Sequence, residues 1–504
     1  MKPYLFLISC FLISTTIFGQ SIDDSFSAKK MKKDLEIFKN IRLEANSGLY
    51  KYRSKKEIDS IYEWAFMETE KSKTHRDFYN IICYLTDFEG STHNSTSFSE
   101  KMKQSIKKEE KGYFPFPIKC IEGKIIVNIE NENIPLGAEI ISIDNHSIKD
   151  IISNLYKYYT TDGANISGKF IGINYNFSKY YRQHYGLKDT FEVVYKPHGA
   201  ENIKKANIQS VGNEDYYKNV KKRHSKPFDD INYKNWNEIK KYNYQNIDSE
   251  TSILTLNSFV IGDNATSPEH LKFVRFLDST FASIKAQNIK NLIVDIRYNG
   301  GGTDPNDLVV YEYLTQRNFS ENKSAWISFK KIPYLKYIET NVPVFLRSFG
   351  VIKHNNYFKK EFPLEKNGKF YQDETSEDHT IRVPNKNAFE GNIYLLISPR
   401  VASAASNFGS LVASNKNTTI IGEETMGGFY GHNGHTPLSY ILPKSKIVVE
   451  FSVVNLEQDV LEKQNQIQNR GIIPDYAISQ TYEDYLTQTD TQMNFVLHLL
   501  KNQK

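Results

Sequence analysis

Two aliphatic runs in the second half of the chain constrain its fold more than any other feature. NLIVDI (291–296) and NIYLLIS (392–398) consist mostly of Leu, Ile and Val, which is typical of strands buried on both faces of a parallel sheet. A helical pattern begins at Ser267 and Pro268 before the first run, and ASAASNFGSLVAS (402–414) follows the second. Strands that alternate with helices predict an α/β core.

The first half of the chain has a different hydrophobic pattern. Apolar residues first recur at helical spacings, which predicts an amphipathic helical domain. Short β-like runs follow, and IPLGAEIISIDNHSIKDII (134–152) resembles a PDZ domain, which would bind an extended peptide at an open sheet edge. A small β-rich domain without a ligand is the alternative. A polar, aperiodic stretch before the core is interpreted as a linker or an elaborated loop.

These patterns predict six segments. Their boundaries are 1–20 for a signal peptide, 21–112 for the helical domain, 113–200 for the PDZ-like domain, 201–250 for the linker or elaborated loop, 251–482 for the α/β core, and 483–504 for a C-terminal helix.

The first 20 residues carry one Lys, a short apolar run and small polar residues. The run is too short to cross a bilayer and is typical of a secretory signal peptide, with an uncleaved anchor helix as the alternative. Its removal leaves Cys83 and Cys120, which allow at most one disulfide and leave open whether they pair. We expect an exported protein, periplasmic or extracellular, with no integral membrane segment after cleavage.

Charge and composition exclude two classes of protein. The chain has 64 Lys and Arg against 59 Asp and Glu, and these charges are spread along its length. Nucleic-acid binding therefore has no support. Hydrophobic residues make up 39% and charged residues 24%, which is the balance of a globular protein and not of a disordered or membrane-embedded one.

Two loops of the α/β core have the form that acyl transfer requires. Three glycines follow the strand NLIVDI in DIRYNGGGT (295–303), where backbone N–H groups can approach a ligand closely. Ser403 stands at a strand-to-helix junction beside the N–H of Ala404, which is a good place for a nucleophile. A plain turn and a helix cap are the alternative interpretations.

Four motifs in order resemble those of the tail-specific, or C-terminal processing, serine protease family. They are DIRYNGGG (295–302), VASAASNF (401–408), IGEETMGG (421–428) and NRGIIPD (469–475). The resemblance implies a crotonase/ClpP-like protease core, a nucleophile at Ser403, and oxyanion donors at the N–H groups of Ala404 and Gly301. It implies no cofactor.

The catalytic base departs from the Ser-Lys pattern of that family. Gly428 stands where a Ser-Lys enzyme of the family carries its lysine, so a Ser-Lys dyad would need a lysine from elsewhere. The tricorn-like branch instead takes a histidine from the end of the helical region, and STHN (91–94) matches that context. His93 is therefore the candidate base, with a pKa that suits the task near neutral pH. His432 and His435 are rival bases.

Two residues, Gln468 and Glu89, are alternative candidates for orienting the base. Gln468 stands where the tricorn-like branch has an acid, and glutamine can hold a hydrogen bond but cannot stabilise an imidazolium by charge. Glu89 is the nearby acid that could replace it. His432 and His435 also hint at a metal, but no acid or cysteine stands near them in the sequence, so no metal site is predicted.

The sequence thus predicts an exported serine endopeptidase that hydrolyses peptide bonds of flexible or unfolded protein substrates through an acyl-enzyme at Ser403. Two alternatives remain. One is a non-catalytic peptide-binding pseudoprotease of the same fold, suggested by Gly428 and Gln468. The other is a hydrolase of small esters or amides.

Overall fold

The computed structural model describes residues 21–224, 240–340 and 355–502. The predicted signal peptide, residues 1–20, lies outside the described residues. The described helices include Ala28–Ala45, Lys55–Lys71, His75–Phe88, Glu100–Lys107, Ile148–Leu155, Lys169–Tyr185, Asn213–Lys221, Pro268–Ala286, Asn306–Glu312, Ala404–Ala413, Tyr482–Thr487 and Thr491–Asn502.

The predicted α/β core is confirmed as a sheet of six strands. Both aliphatic runs are central strands, paired in parallel with each other and with neighbours on either side. One edge strand runs antiparallel. In spatial order the strands are Tyr476–Ala477, Thr418–Gly422, Asn392–Ile397, Asn291–Asp295, Thr251–Leu256 and Tyr242–Asn246.

Alternate residues of the central strands point to opposite faces of this sheet, and helices cover both faces. Leu292 and Val294 face a core that includes the helices Pro268–Ala286 and Ala404–Ala413. Ile293 lies in a second core, which contains residues of the helix Thr491–Asn502. Burial on both faces explains why these strands lack the polar alternation of a half-exposed strand.

The three long N-terminal helices are present as predicted, but they do not form a core of their own. Their apolar faces, which include Leu35, Phe38 and Phe78, pack in one cluster with Tyr440 and Phe451 from late in the chain. Those late residues belong to a second six-stranded sheet, made of Ser95–Ser97, Val448–Gln458, Asn322–Ile327, Lys369–Tyr371, Leu364–Lys366 and Asn433–Ile441. The first and last parts of the chain are therefore folded together.

A third sheet, entirely antiparallel, occupies the region with the PDZ-like motif. It has its own buried core, which includes the helices Ile148–Leu155 and Lys169–Tyr185. Its strands are Ile118–Ile121, Lys124–Val127, Glu139–Ile143, His146–Ser147, Thr190–Lys196 and Lys204–Gln209. The β-rich character is confirmed, and the resemblance to a PDZ domain stays a prediction.

The stretch interpreted as a linker contains regular structure that the sequence did not suggest. Asn213–Lys221 is a helix, and Tyr242–Asn246 is the antiparallel edge strand of the core sheet. Residues 225–239 lie outside the described residues. An edge strand has one exposed side, so its polar sequence YNYQN gives no aliphatic signal. In the described ranges, no helix has the length and apolar character needed to cross a membrane.

One buried carboxylate joins the first helix to the second sheet. Asp34 is fully buried and accepts hydrogen bonds from the backbone N–H of Lys444, at 3.0 and 3.1 Å to its two oxygens, and of Ser445, at 2.6 Å. Lys444 and Ser445 lie in the turn between the strands Asn433–Ile441 and Val448–Gln458. The carboxylate thus satisfies two backbone donors, of which the N–H of Ser445 is buried and would otherwise have no acceptor.

Replacing Asp34 tests this connection. We expect Asp34→Ala to lower the free energy of unfolding by about 2–4 kcal/mol, because the buried N–H of Ser445 and the partly buried N–H of Lys444 lose their acceptor. Asp34→Asn should lose less, since one amide oxygen remains. Urea denaturation followed by circular dichroism measures both. The control is Asp59→Ala, which removes only an exposed ion pair with Lys55 and should change stability by less than about 1 kcal/mol.

Candidate active site

Ser403 sits in a strained backbone conformation just before the helix Ala404–Ala413. Its φ is +54° and its ψ is −135°, a region that residues with side chains rarely adopt. Its hydroxyl does not cap the helix, so the interpretation of Ser403 as a plain helix cap does not hold. The strain instead presents the partly exposed hydroxyl at the end of a buried strand, as in other strand-to-helix nucleophile turns.

The glycine loop packs directly against this serine. Gly301 has a φ of +108°, and a Cβ built on it would lie 2.8 Å from Cβ of Ser403 and 3.0 Å from the carbonyl oxygen of Ala402. A side chain at this position would therefore collide with the backbone around Ser403. The glycine is required both by its conformation and by its neighbours.

Of the two predicted oxyanion donors, only the N–H of Ala404 lacks an acceptor among the described residues, whereas that of Gly301 has one. The N–H of Ala404, in the first turn of its helix, has no acceptor within the described residues. The N–H of Gly301 donates to Oδ1 of Asn299 at 3.0 Å and is not free, contrary to expectation. Its neighbours Gly300 and Gly302 carry N–H groups without an acceptor in the same described ranges. Asn299 is itself anchored to the carbonyl of Leu256, so the loop has a fixed shape.

His93 and Ser403 lie together although they are far apart in the sequence. Nε2 of His93 is 3.4 Å from Oγ of Ser403, at the long end of a hydrogen bond and within the range found in resting catalytic sites. His93 follows the helix His75–Phe88, and the next residues, Ser95–Ser97, pair as a strand with Val448–Gln458. Helix and strand thus fix both ends of the short loop that carries the imidazole.

A carboxylate that the sequence analysis missed holds this loop. Asp162 is buried and accepts hydrogen bonds from the N–H of Thr92 at 2.8 Å and of Gly428 at 2.9 Å. Its own N–H donates to the carbonyl of Met426 at 3.0 Å. One side chain therefore joins the residue before His93 to the loop that follows the GEET motif.

The charges of Asp162 and His93 act on each other. Burial lowers the pKa of His93, and the negative charge of Asp162 works against that shift. Burial raises the pKa of Asp162, while His93 and the N–H groups of Thr92 and Gly428 favour its ionised form. The result is an imidazole that stays neutral at pH 7 and can accept a proton, with a carboxylate nearby that stabilises the imidazolium once formed.

The imidazole has no direct hydrogen bond to this carboxylate. Nδ1 of His93 is buried without a partner in hydrogen-bond geometry among the described residues. The carbonyl of Asn433 is near enough to favour the protonated ring, although it does not meet the geometry of a hydrogen bond. Asp162 thus acts by its charge and by holding the loop, and not as an acceptor of the Nδ1 proton.

Neither predicted orienting residue has that role in the structure. Gln468 is exposed on the surface. Glu89 is buried beside Arg42, with 3.0 Å between Oε1 and Nε, and accepts hydrogen bonds from the side chains of Asn46 and Asn94. Arg42 in turn lies over the ring of Phe451. Glu89 therefore supports the fold behind the His93 loop, and Asp162 is the acid that faces His93.

Sequence reasoning had little chance of finding Asp162. It lies in TTDGAN (160–165), after the PDZ-like motif and far from every motif of the protease core. The only local signal is an Asp-Gly pair, which ordinarily indicates a turn. Gln468 and Glu89 were chosen by position along the chain, which says nothing about contacts between distant segments.

His432 and His435, the alternative candidates for the base, also lie near His93. The ring of His432 stacks on that of His93, with 5.3 Å between centroids, and burial holds the pKa of His432 well below its usual range. His435 faces Glu321, with 3.6 Å between Nε2 and Oε1, and Glu321 raises the pKa of His435 to about 9 against the effect of burial. The histidine in contact with Ser403 is His93.

Gly428 uses its backbone where a Ser-Lys enzyme uses a side chain. Its N–H donates to Asp162, and a Cβ there would lie 2.8 Å from the carbonyl oxygen of Gly431. A lysine from elsewhere lies near Asp162: Lys51 is partly buried, and burial lowers its pKa to about 8. However, Nζ of Lys51 donates to Oδ1 of Asn455 and to the carbonyl of Leu456, so its hydrogen bonds go to neither Ser403 nor His93.

Comparisons with known proteins agree with the fold. Residues 251–478 match the sequence model of peptidase family S41. The structure is similar to that of mature CPAF (TM-score 0.56, 12% identity, 91% of this chain and 94% of that chain covered) and to that of mature CPAF complexed with lactacystin (TM-score 0.54, 12% identity, 92% and 96% covered). At this identity the likeness shows the fold alone. A search of curated proteins found no match.

The matched range contains Ser403 and the glycine loop, whereas His93 and Asp162 lie outside it. Contact between the two parts therefore comes from the structure and not from the family match. Residues 251–478, which carry Ser403, are therefore similar in sequence to peptidase family S41.

Proposed function

We propose that this chain is an exported serine endopeptidase of the tail-specific, tricorn-like type, with Ser403 as nucleophile and His93 as general base. The observation that carries the proposal is the 3.4 Å approach of Nε2 of His93 to Oγ of a strained, half-buried serine. The family match of the domain that carries Ser403 supports a peptidase. Gly428 supports a histidine base, because no lysine stands at that position.

Acylation follows from this geometry. Nε2 of His93 accepts the Ser403 proton as Oγ attacks the carbonyl carbon of the scissile peptide bond. The negative oxygen of the tetrahedral intermediate accepts hydrogen bonds from the free N–H of Ala404 and from the glycine loop, where Gly300 and Gly302 are the available donors. The imidazolium then gives its proton to the leaving amine, and an acyl-enzyme remains.

Deacylation uses the same groups in the reverse order. A water molecule gives its proton to Nε2 of His93 and attacks the acyl carbon, and collapse of the second intermediate returns the proton to Oγ of Ser403. In both steps the charge of Asp162 stabilises the imidazolium, and its hydrogen bonds keep Thr92, and so His93, in place.

Flexible or unfolded protein chains are the proposed substrates. Ser403 and His93 are both only partly exposed, so a peptide bond reaches Oγ more easily from an extended segment than from a folded surface. The proposed export rests on the first 20 residues of the sequence.

Removing the nucleophile or the base tests the assignment and separates it from a pseudoprotease. We expect Ser403→Ala to abolish labelling by a fluorophosphonate probe and hydrolysis of casein, and His93→Ala to lower kcat/KM by several orders of magnitude with the fold intact by circular dichroism. Ser279→Ala, at an exposed helix position, is the control. Wild-type protein that neither reacts with the probe nor cleaves casein would support the pseudoprotease. Cleavage of a p-nitrophenyl ester but not casein would support a small-molecule hydrolase.

The pH profile tests the link between Asp162 and His93. Activity should rise with pH through a transition below about 6.5, the unperturbed histidine value, because burial lowers the pKa of His93. Asp162→Asn should move this transition to still lower pH, since the charge that favours the imidazolium is lost. It should also lower kcat by at least about tenfold, because His93 is less well held and its charged form less stabilised.

The control for this profile is Asp263→Asn, at an exposed position, which should leave both the transition and kcat unchanged. A transition in Asp162→Asn that stays in place or moves to higher pH would contradict the proposed electrostatic role. Loss of kcat without any shift would leave Asp162 with a purely structural role.

A further inference from the structure

A second cluster of titratable side chains lies beside the proposed catalytic site and takes no part in its chemistry. Asp304, Glu321 and His435 place one potential ligand atom each within 4.8 Å of one another. They come from three separate segments: the end of the glycine loop, the residue before the strand Asn322–Ile327, and the strand Asn433–Ile441. The sequence analysis predicted no metal because no acid stands near His435 along the chain, and the fold supplies two.

The spacing of the ligand atoms fits a shared cation better than direct hydrogen bonds. Nε2 of His435 and Oε1 of Glu321 are 3.6 Å apart, which is too long for a hydrogen bond. Two ligands bound tetrahedrally at the usual zinc distances of about 2.0–2.1 Å would lie about 3.3–3.4 Å from each other. If Nε2 of His435 and Oε1 of Glu321 moved slightly closer, their separation would match that of two ligands of one zinc ion.

A bound cation would stabilise the carboxyl groups in and beside this cluster. Asp307, fully buried, lies close enough for its charge to act on Asp304 and Glu321. One of its oxygens accepts a hydrogen bond from Asn407, and the other, Oδ1, is buried with no hydrogen-bond partner in the described part of the chain. A buried carboxylate oxygen without a partner is costly.

The cluster and Asp307 together therefore contain three carboxyl groups and one imidazole. Among the described residues, the one arginine that acts on Asp304 is Arg382, and its guanidinium is already paired with Glu312 at 2.8 Å. Carboxyl groups thus outnumber the basic side chains in this part of the described structure.

We propose that Asp304, Glu321 and His435 bind one divalent cation of the zinc type. One imidazole nitrogen and two carboxylate oxygens form a ligand set that zinc accepts, with a position left for water. Asp304 is exposed, so an ion can enter from solvent. Asp307 lies close to Asp304 and Glu321 without needing to coordinate the ion.

The position of this site suggests what the cation does. Asp304 follows the glycine loop that packs on Ser403, and His435 stands three residues after His432, whose ring stacks on His93. A cation held by both would tie the loop with the oxyanion donors to the strand behind the base. The cation supports the geometry of the site from the side, and no step of the proposed hydrolysis passes through it.

Metal binding can be measured without any reference to proteolysis. We would use the mature chain with Ser403→Ala, stripped of metal with a chelator, and titrate it with zinc in a calorimeter. We expect one zinc ion per chain and a rise in Tm on adding zinc, because the ion binds the folded state. His435→Ala and the nearly isosteric Glu321→Gln should each weaken binding by at least about tenfold, the size of loss known even for residues outside the ligand shell.

Two further variants complete the experiment. Asp304→Asn, at the exposed end of the cluster, should weaken binding without a change in fold, which covers the case in which His435→Ala unfolds. His498→Ala, which removes an exposed histidine elsewhere, should bind zinc as the parent does. The absence of zinc binding in the parent, or unchanged binding in Glu321→Gln and Asp304→Asn, would overturn the proposal. Since the parent already lacks Ser403, a failure here is independent of the proposed peptidase activity.

Discussion

The contact on which the proposed catalytic site depends is the pair of hydrogen bonds that Asp162 accepts from Thr92 and Gly428. Thr92 belongs to the N-terminal helical region, Gly428 to the range that matches the family S41 model, and Asp162 to neither. Together with the hydrogen bond that Oγ1 of Thr92 donates to the carbonyl of Met426 at 3.3 Å, this carboxylate links the loop with His93 to the domain that carries Ser403. The base and the nucleophile are brought together by a residue that takes no part in bond making.

The same contact explains how the chain does without a lysine at position 428. A glycine there leaves the backbone N–H free to reach Asp162, and the nearby carbonyl of Gly431 leaves no room for a Cβ. In the proposed mechanism the base is instead an imidazole, which becomes charged only when it takes the serine proton. A neutral base must then be stabilised after protonation, and the buried charge of Asp162 is placed to do so.

How far the sequence predicts the structure depends on how local each feature is. The core strands, the helix after Ser403 and the N-terminal helices could be predicted because hydrophobic period and burial are properties of neighbouring residues. Ser403 and His93 could be named because each stands in a recognisable motif. Asp162 could not be predicted, because its role depends on contacts among three segments that are distant in the sequence. The edge strand Tyr242–Asn246 could not be predicted, because its polar residues give no burial signal.

The glycine loop shows a finer limit of the same kind. Its position against Ser403 follows from the motif, but which of its N–H groups is free depends on the side chain of Asn299, which takes the one on Gly301. The strained φ of Ser403 is likewise a property of the whole site: the helix that follows and the glycine loop packed on the serine hold a conformation that the isolated chain would avoid. Both restraints come from the core domain, whereas His93, which approaches Oγ of the serine, comes from the N-terminal region, so the proposed pair requires both parts of the fold to be in place.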